Sequence, residues 1–294
     1  MSGPRWLPYC RISRRKDAFL STANPPEEQR PARAPSVNLG SNLTGIPSGL
    51  LISAEFHAFP MPLHIAGVRD GHPALFQRLS LVREQCEAGQ VFQAYMEEIF
   101  AGGHDRTKGR RFRASYLRLL KGWGYDSNSP EGAVMKGWVE SRFGIAPNFH
   151  RQVIGRVGDA AWVQYMTDKM SGRFDNNAIW LQLDLLFEFA QWSARRFLAS
   201  GQRHLRLFRG TNDFAEHPIL WKAGARQGVI RLNNLVSFSS DRDVASAFGD
   251  CILEVNVPLV KLLFFKGLLP CRALQAESEY LVIGGEYAAH MHYY

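Results

Sequence analysis

Leu205-Arg206-Leu207-Phe208-Arg209-Gly210-Thr211-Asn212-Asp213 is the stretch that decides the fold. Leu205 and Leu207 alternate with Arg206, the period of two expected of a half-buried strand, and the strand runs into Phe208-Arg209-Gly210. The same rhythm continues downstream. Asn233 to Ser239 reads as a second strand, and Ile252-Leu253-Glu254-Val255-Asn256-Val257 as a third, closed by Pro258. Leu262 to Phe265, Tyr280 to Ile283 and Glu286 to Tyr294 follow as further strands. Between the second and third, Ser240-Asp241-Arg242-Asp243 has the form of a capping box. It opens a short helix carrying Val244, Ala245 and Phe248, which Gly249 is expected to end.

Upstream of Gly201 the period changes from two to 3.6. Leu75, Leu79, Val82 and Cys86 recur at helical spacing after His72-Pro73, and Phe92, Tyr95, Met96 and Ile99 mark a second helix. Trp180, Leu183, Phe187, Ala190, Ala194 and Phe197 form another apolar stripe that stops near Ser200-Gly201. Helices first and strands later predict an α+β fold: a helical part, residues 39–200, packed on an antiparallel β-sandwich, residues 201–294. Residues 1–38 are rich in Pro, Ala, Ser and charge and read as a disordered basic tail outside this single domain.

Composition narrows the function classes. At 46% hydrophobic and 21% charged, the chain reads as a soluble globular protein, and no apolar run approaches the roughly 18 residues of a membrane span. Cys10, Cys86, Cys251 and Cys271 are scattered without a C-x-x-C pair, which argues against zinc and against a disulfide framework and points to the cytoplasm. The start, with Arg5, Arg11, Arg14, Arg15 and Lys16, fits a basic tail or an arginine-rich presequence but lacks the apolar core of a secretory signal. Half of the net charge of +8 lies in residues 1–34. A second basic cluster runs from Arg106 to Lys121 without a recognisable binding motif, so nucleic acid is not expected as a partner.

Three separated pieces carry chemistry. Arg209 sits at the end of a strand. Ser237 and Ser239 share one face of the second strand. Glu277 and Glu279 face the same way in an extended chain, where each raises the cost of ionising the other unless cations or donors intervene. Taken singly, these are a surface charge, two helix caps and two solvated carboxylates. Their order is specific: Arg on a first strand, Ser-x-Ser before a short helix, a strand ending in Val-Pro, then Glu-x-Glu. It resembles the R-S-E class of ADP-ribosyltransferases, and the absence of a His at position 209 separates it from the H-Y-E class. Phe238 stands where many toxin relatives have Thr, and strand alternation turns its side chain away from the two serines.

Four stretches are similar to one branch of that class, the enzymes of nitrogen-fixing bacteria that modify dinitrogenase reductase. They are Phe208-Arg209-Gly210-Thr211-Asn212-Asp213-Phe214, Asn233 to Ser240, Glu286-Tyr287-Ala288-Ala289-His290 and Asn42-Leu43-Thr44-Gly45-Ile46-Pro47. The resemblance spans residues from about 40 to 294. It implies NAD as donor substrate, no metal, and an oxocarbenium-like ribose in the transition state, as in glycosidases. It implies Glu279 as the carboxylate bonded to the ribose 2′-hydroxyl, Ser237 as the group orienting it, and Arg209 as the pyrophosphate grip. Gly210 would let the backbone approach NAD, and Thr211 and Ser239 complete the binding group. Glu277 would orient and deprotonate an acceptor guanidinium, making the chain arginine-specific. Lys266 to Ala276 would present the target, unless Leu268 and Leu269 simply pack on the sheet. The implied acceptor is an arginine of dinitrogenase reductase, the iron protein of nitrogenase, whose reversible modification stops nitrogen fixation. The implied regulator is a PII signalling protein. A non-catalytic NAD sensor, an RNA 2′-phosphotransferase and a secreted toxin fit less well, because Arg209, Ser237, Glu277 and Glu279 are all present and a signal is not.

Overall fold

A computed structural model describes residues 42–101, 115–171, 176–198, 201–270 and 279–293. The tail, the larger part of the Arg106–Lys121 cluster and Glu277 lie outside the described residues.

The helical half begins with four short helices, α1 (Ser48–Leu51), α2 (Ala54–Ala58), α3 (Val68–Gly71) and α4 (Pro73–Ser80). The 17-residue α5 (Gln85–Ala101) follows. Pro73 opens α4, where its missing N–H costs nothing, and Leu75 and Leu79 are its buried face. The stripe expected to run on through Val82 to Cys86 is broken. The helix stops at Ser80, Val82 is buried in the connection, and Cys86 sits exposed on α5. The cause is polar: the Glu87 carboxylate reaches back to the Arg83 N–H at 3.4 Å and starts a new helix.

After α6 (Tyr116–Tyr125) comes α7 (Pro130–Phe143), capped by the Ser129 hydroxyl and closed by Gly144 at φ 67°. A two-strand hairpin, β1 (Phe149–His150) and β2 (Gln152–Val153), and α8 (Ala160–Lys169) lead to α9 (Asn176–Ser193), extended by a π-turn over Ala194–Leu198. Leu183, Phe187, Ala190 and Ala194 of the expected stripe are buried and its ends, Trp180 and Phe197, partly so, but Leu185, Leu186 and Phe189 on other faces are buried too. The helix runs through the core, and each polar group it takes inside is paired. Asp184 accepts from Trp138 Nε1 at 2.7 Å and from Arg142. Glu188, fully buried, accepts from the Ile65 N–H, His64 and Arg69.

The second half is an antiparallel sheet of eight strands: β3 (His204–Thr211), β4 (Ile219–Lys222), β5 (Gln227–Arg231), β6 (Leu235–Ser239), β7 (Cys251–Pro258), β8 (Leu262–Phe265), β9 (Glu279–Ile283) and β10 (Glu286–Tyr293), in the order β4-β5-β10-β7-β3-β6-β9-β8. Between β6 and β7 lies the short α10 (Arg242–Ser246). Gln191 of α9 donates to the Leu262 carbonyl at 2.8 Å and ties the two halves together.

One joint in this order matters for function. β3 and β7 pair along eight residues, whereas β3 and β6 meet only at Phe208↔Ser239. The sheet therefore opens between the ends of β3 and β6, and the opening is the floor of a pocket.

Three local expectations are corrected. Asn233 and Asn234 precede β6 instead of belonging to it. Their side chains take up backbone groups of the helical half, Asn234 Nδ2 donating to the carbonyls of Lys136 and Ile145 and Asn233 Nδ2 to that of Phe149. The cap of α10 is Asp241, which accepts from the N–H groups of Asp243 and Val244; Ser240 does not fill that role. Gly249 does not close α10 in the left-handed conformation. It lies against Thr211 so closely that an added Cβ would sit 2.3 Å from the Thr211 carbonyl carbon.

Candidate active site

Glu279 is the first residue of β9 and lies opposite Ser239 of β6 in the register. Two residues along the same face of β6, Ser237 Oγ donates to Glu279 Oε1 at 2.6 Å. The carboxylate is thus half-buried and held by a hydroxyl, as a solvated edge carboxylate would not be. Phe238, between the two serines, is buried in the hydrophobic core.

Arg209 comes from the end of β3. Its Nε donates to His217 Nε2 at 2.8 Å, Nη1 to the Ser237 carbonyl at 2.9 Å, and Nη2 approaches Glu216 Oε2 at 3.5 Å. A guanidinium has only donors, so His217 Nε2 must be bare and its proton must sit on Nδ1. Burial, with the Arg209 charge beside it, holds His217 well below the usual imidazole range and keeps it neutral. Three of the five guanidinium donors go to these partners, and the others are available to an anion in the pocket.

Gly210, Thr211 and Ser239 also line the pocket, with roles that are partly structural. A Cβ on Gly210 would sit 2.1 Å from the Ala245 carbonyl oxygen, so the approach of α10 alone requires glycine there. The Thr211 hydroxyl donates to the Asp213 carbonyl at 2.5 Å. Ser239 Oγ accepts from the Asp241 N–H at 3.0 Å, shaping the turn into α10.

Together these side chains face a cavity of about 500 Å³, within the range of small-molecule sites. Its other wall comes from the helical half: Trp123, Gly124, Tyr125 and Asp126 at the end of α6. Trp123 Nε1 donates to Ser237 Oγ at 2.8 Å. Behind it lies Lys136 of α7, fully buried, donating to Asn128 Oδ1 and the Phe149 carbonyl, both at 3.0 Å. Burial lowers its pKa to about 8, with Glu216 and Asp126 opposing and Arg209 adding to the shift. Among the described residues, no three His, Cys, Asp or Glu side chains converge as for a metal ion.

The structure therefore brings together Arg209, Gly210, Thr211, Ser237, Ser239 and Glu279. Glu277 lies outside the described residues, as does most of the loop expected to present a target. Leu268 and Leu269 of that loop are not display residues. Both are buried, and Gln85 Nε2 of α5 donates to the Leu268 carbonyl at 3.2 Å. Trp123, Glu216, His217 and Lys136 escaped the sequence reading. Trp123 and Lys136 lie about a hundred positions before the strands they serve, on helices α6 and α7, for which the sequence reading drew no stripe.

The profile of the dinitrogenase reductase ADP-ribosyltransferase family matches residues 41–291. A curated relative, the NAD(+)–dinitrogen-reductase ADP-D-ribosyltransferase of Rhodospirillum rubrum, is 51% identical over 261 residues, covering 86% of this chain and 95% of its own. No solved structure matches.

Proposed function

The chain belongs to the dinitrogenase reductase ADP-ribosyltransferase family, and from that premise we propose that the cleft between α6, β3, β6 and β9 is where it cleaves NAD. The enzyme transfers ADP-ribose from NAD to dinitrogenase reductase. The observation that carries our assignment of the site is the 2.6 Å bond from Ser237 to Glu279, on the opposite side of the β3–β6 opening from Arg209.

In the reading we propose, Arg209 takes the pyrophosphate with its remaining donors, next to the neutral His217. Thr211 and Ser239 border the dinucleotide. The nicotinamide ring of NAD is cationic, so the bond from its nitrogen to ribose C1′ breaks with the electron pair going to that nitrogen, and no general acid is needed. The ribose becomes an oxocarbenium. Glu279 lies beside it, bonded to the 2′-hydroxyl and fixed by Ser237, and its charge is of most use as the cation develops. A guanidinium nitrogen of the acceptor then attacks C1′ and loses a proton, which Glu277 accepts. This supplies the base that a guanidinium requires.

The acceptor side is part of the same proposal: an arginine of dinitrogenase reductase, whose modification blocks nitrogenase reversibly. A PII signalling protein is our candidate regulator. Its docking belongs on the helical half, where Arg118 and Lys121 of α6 are the described members of the basic cluster. No helix among the described residues is long and apolar enough to cross a membrane, which suits a cytoplasmic enzyme. No metal enters the mechanism.

Glu277→Gln tests the division of labour. Labelled ADP-ribose on dinitrogenase reductase and free nicotinamide are followed in the same tube. We expect transfer to be suppressed and the slow hydrolysis of NAD to survive, because water needs no deprotonated guanidinium to trap the cation. Equal loss of both would assign Glu277 to NAD cleavage, and retention of both would remove the case for an arginine acceptor.

A further inference from the structure

The Ser237 hydroxyl lies between two groups of opposite character. Trp123 Nε1 is 2.8 Å away and Glu279 Oε1 is 2.6 Å away. An indole N–H can only donate and an ionised carboxylate can only accept. The hydroxyl must therefore accept from Trp123 and donate to Glu279, and its proton has one direction. We infer that Trp123 is a positioning residue for NAD cleavage, holding the Ser237 proton on the Glu279 carboxylate. This rests on the reading of Glu279 as the catalytic carboxylate and extends it to a side chain of the helical half.

The surroundings of Trp123 fit that task. The residue is 3% exposed, so its N–H has little access to solvent. It stands on the last turn of α6, and its neighbour Gly124 abuts the carboxylate: a Cβ there would be 4.0 Å from Glu279 Oε2. The Lys136 ammonium lies 5.9 Å from the indole centroid. A cation near the ring draws electron density from it and makes the N–H a stronger donor. Two bonds in series polarise one another, so the hydroxyl becomes a better donor to the carboxylate than a serine without the indole would be. A tryptophan serving only as core filler could be replaced by any ring of the same shape. This one could not.

The consequence is a mechanical link. Ser237 and Glu279 belong to β6 and β9, whereas the group that orients them belongs to a helix, so displacement of α6 would change turnover without touching the dinucleotide grip on β3.

The test replaces Trp123 with phenylalanine and, in a second variant, with benzothienylalanine, which keeps the bicyclic shape and lacks the N–H. NAD hydrolysis and transfer to dinitrogenase reductase are both measured. Loss of one hydrogen bond at a charged centre should lower kcat about tenfold to a hundredfold, with KM for NAD changed by no more than about threefold. In a Ser237→Ala background either replacement should have no further effect, because the bond it removes is already gone. A folded benzothienylalanine variant with unchanged kcat overturns the inference. So does a loss that multiplies with that of Ser237→Ala, which would mark a packing role. Glu279→Gln is run alongside: if it keeps its turnover, the reading of the site fails and takes the inference with it.

Discussion

Replacing Arg209 with lysine separates the bonds this side chain makes within the fold from the pyrophosphate grip we propose for it. Its fork spans His217 at 2.8 Å and the Ser237 carbonyl at 2.9 Å, with Glu216 at 3.5 Å. A lysine ammonium brings its donors to one point, and cannot span an imidazole and a carbonyl while also meeting a pyrophosphate in two places. The weakest of the three bonds is the one to Glu216, at 3.5 Å. Losing one charge-assisted contact to the anion is worth roughly 1.5–3 kcal/mol, or about a 10- to 150-fold rise in Kd for NAD. The assay is a calorimetric titration with NAD, made in a Glu279→Gln background so that the ligand is not consumed. Thermal unfolding of both proteins is followed in parallel. The reasoning is refuted by an unchanged Kd. A weakened Kd accompanied by collapse of the unfolding temperature would also refute it, since Arg209 would then be a clamp on β6 and not a phosphate grip.

Two further changes probe what surrounds the site. Gly210→Ala drives a Cβ into the Ala245 carbonyl, 2.1 Å away, and since backbone cannot swing aside as a side chain can, we expect a destabilisation of about 1–3 kcal/mol in urea unfolding; an unchanged midpoint would mean that α10 is not seated on β3. Lys136→Met tests the buried ammonium through pH. With the folded pKa lowered to about 8, the unfolded chain holds this proton more tightly, so the charge costs the fold stability below pH 8 and the cost fades as pH rises towards the ordinary lysine value. The stability of the parent relative to Lys136→Met should therefore increase by on the order of 3 kcal/mol between about pH 8 and 10.5, and a gap that stays flat would show that the Lys136 ammonium is as well solvated in the fold as in the unfolded chain.

The strands were legible because they are short and apolar, aromatic or β-branched. Leu262–Phe265 and Cys251–Pro258 carry no competing helical period. The helical core was legible for the same kind of reason in α9, where Trp180, Leu183 and Phe187 repeat without interruption. Legibility failed where a polar contact overrules a pattern. The spacing from Leu75 to Cys86 is helical throughout, yet Glu87 capping the Arg83 N–H starts a second helix inside it. Strands β4 and β5 were missed because Gly224 and Gly228 thin the apolar signal and because β4 is an edge strand with a bulge between Ile219 and Trp221. Within the site, Arg209, Ser237 and Glu279 were visible as a motif because they lie on strands whose order the sequence preserves. Trp123 was invisible because what recruits it is a long-range bond, and its sequence neighbourhood is that of any amphipathic helix. Gly210 was read only for the approach of a ligand, whereas the structure shows that α10 needs the space.

The central claim is that Glu279 stabilises the ribose cation as the nicotinamide leaves. It is tested most directly by measuring nicotinamide release from NAD by Glu279→Gln, together with the Kd for NAD of the same protein. Amide replaces carboxylate with no change of shape, so the account predicts a fall in kcat of at least about a hundredfold with Kd held within about threefold. Release within about threefold of the parent rate would contradict it.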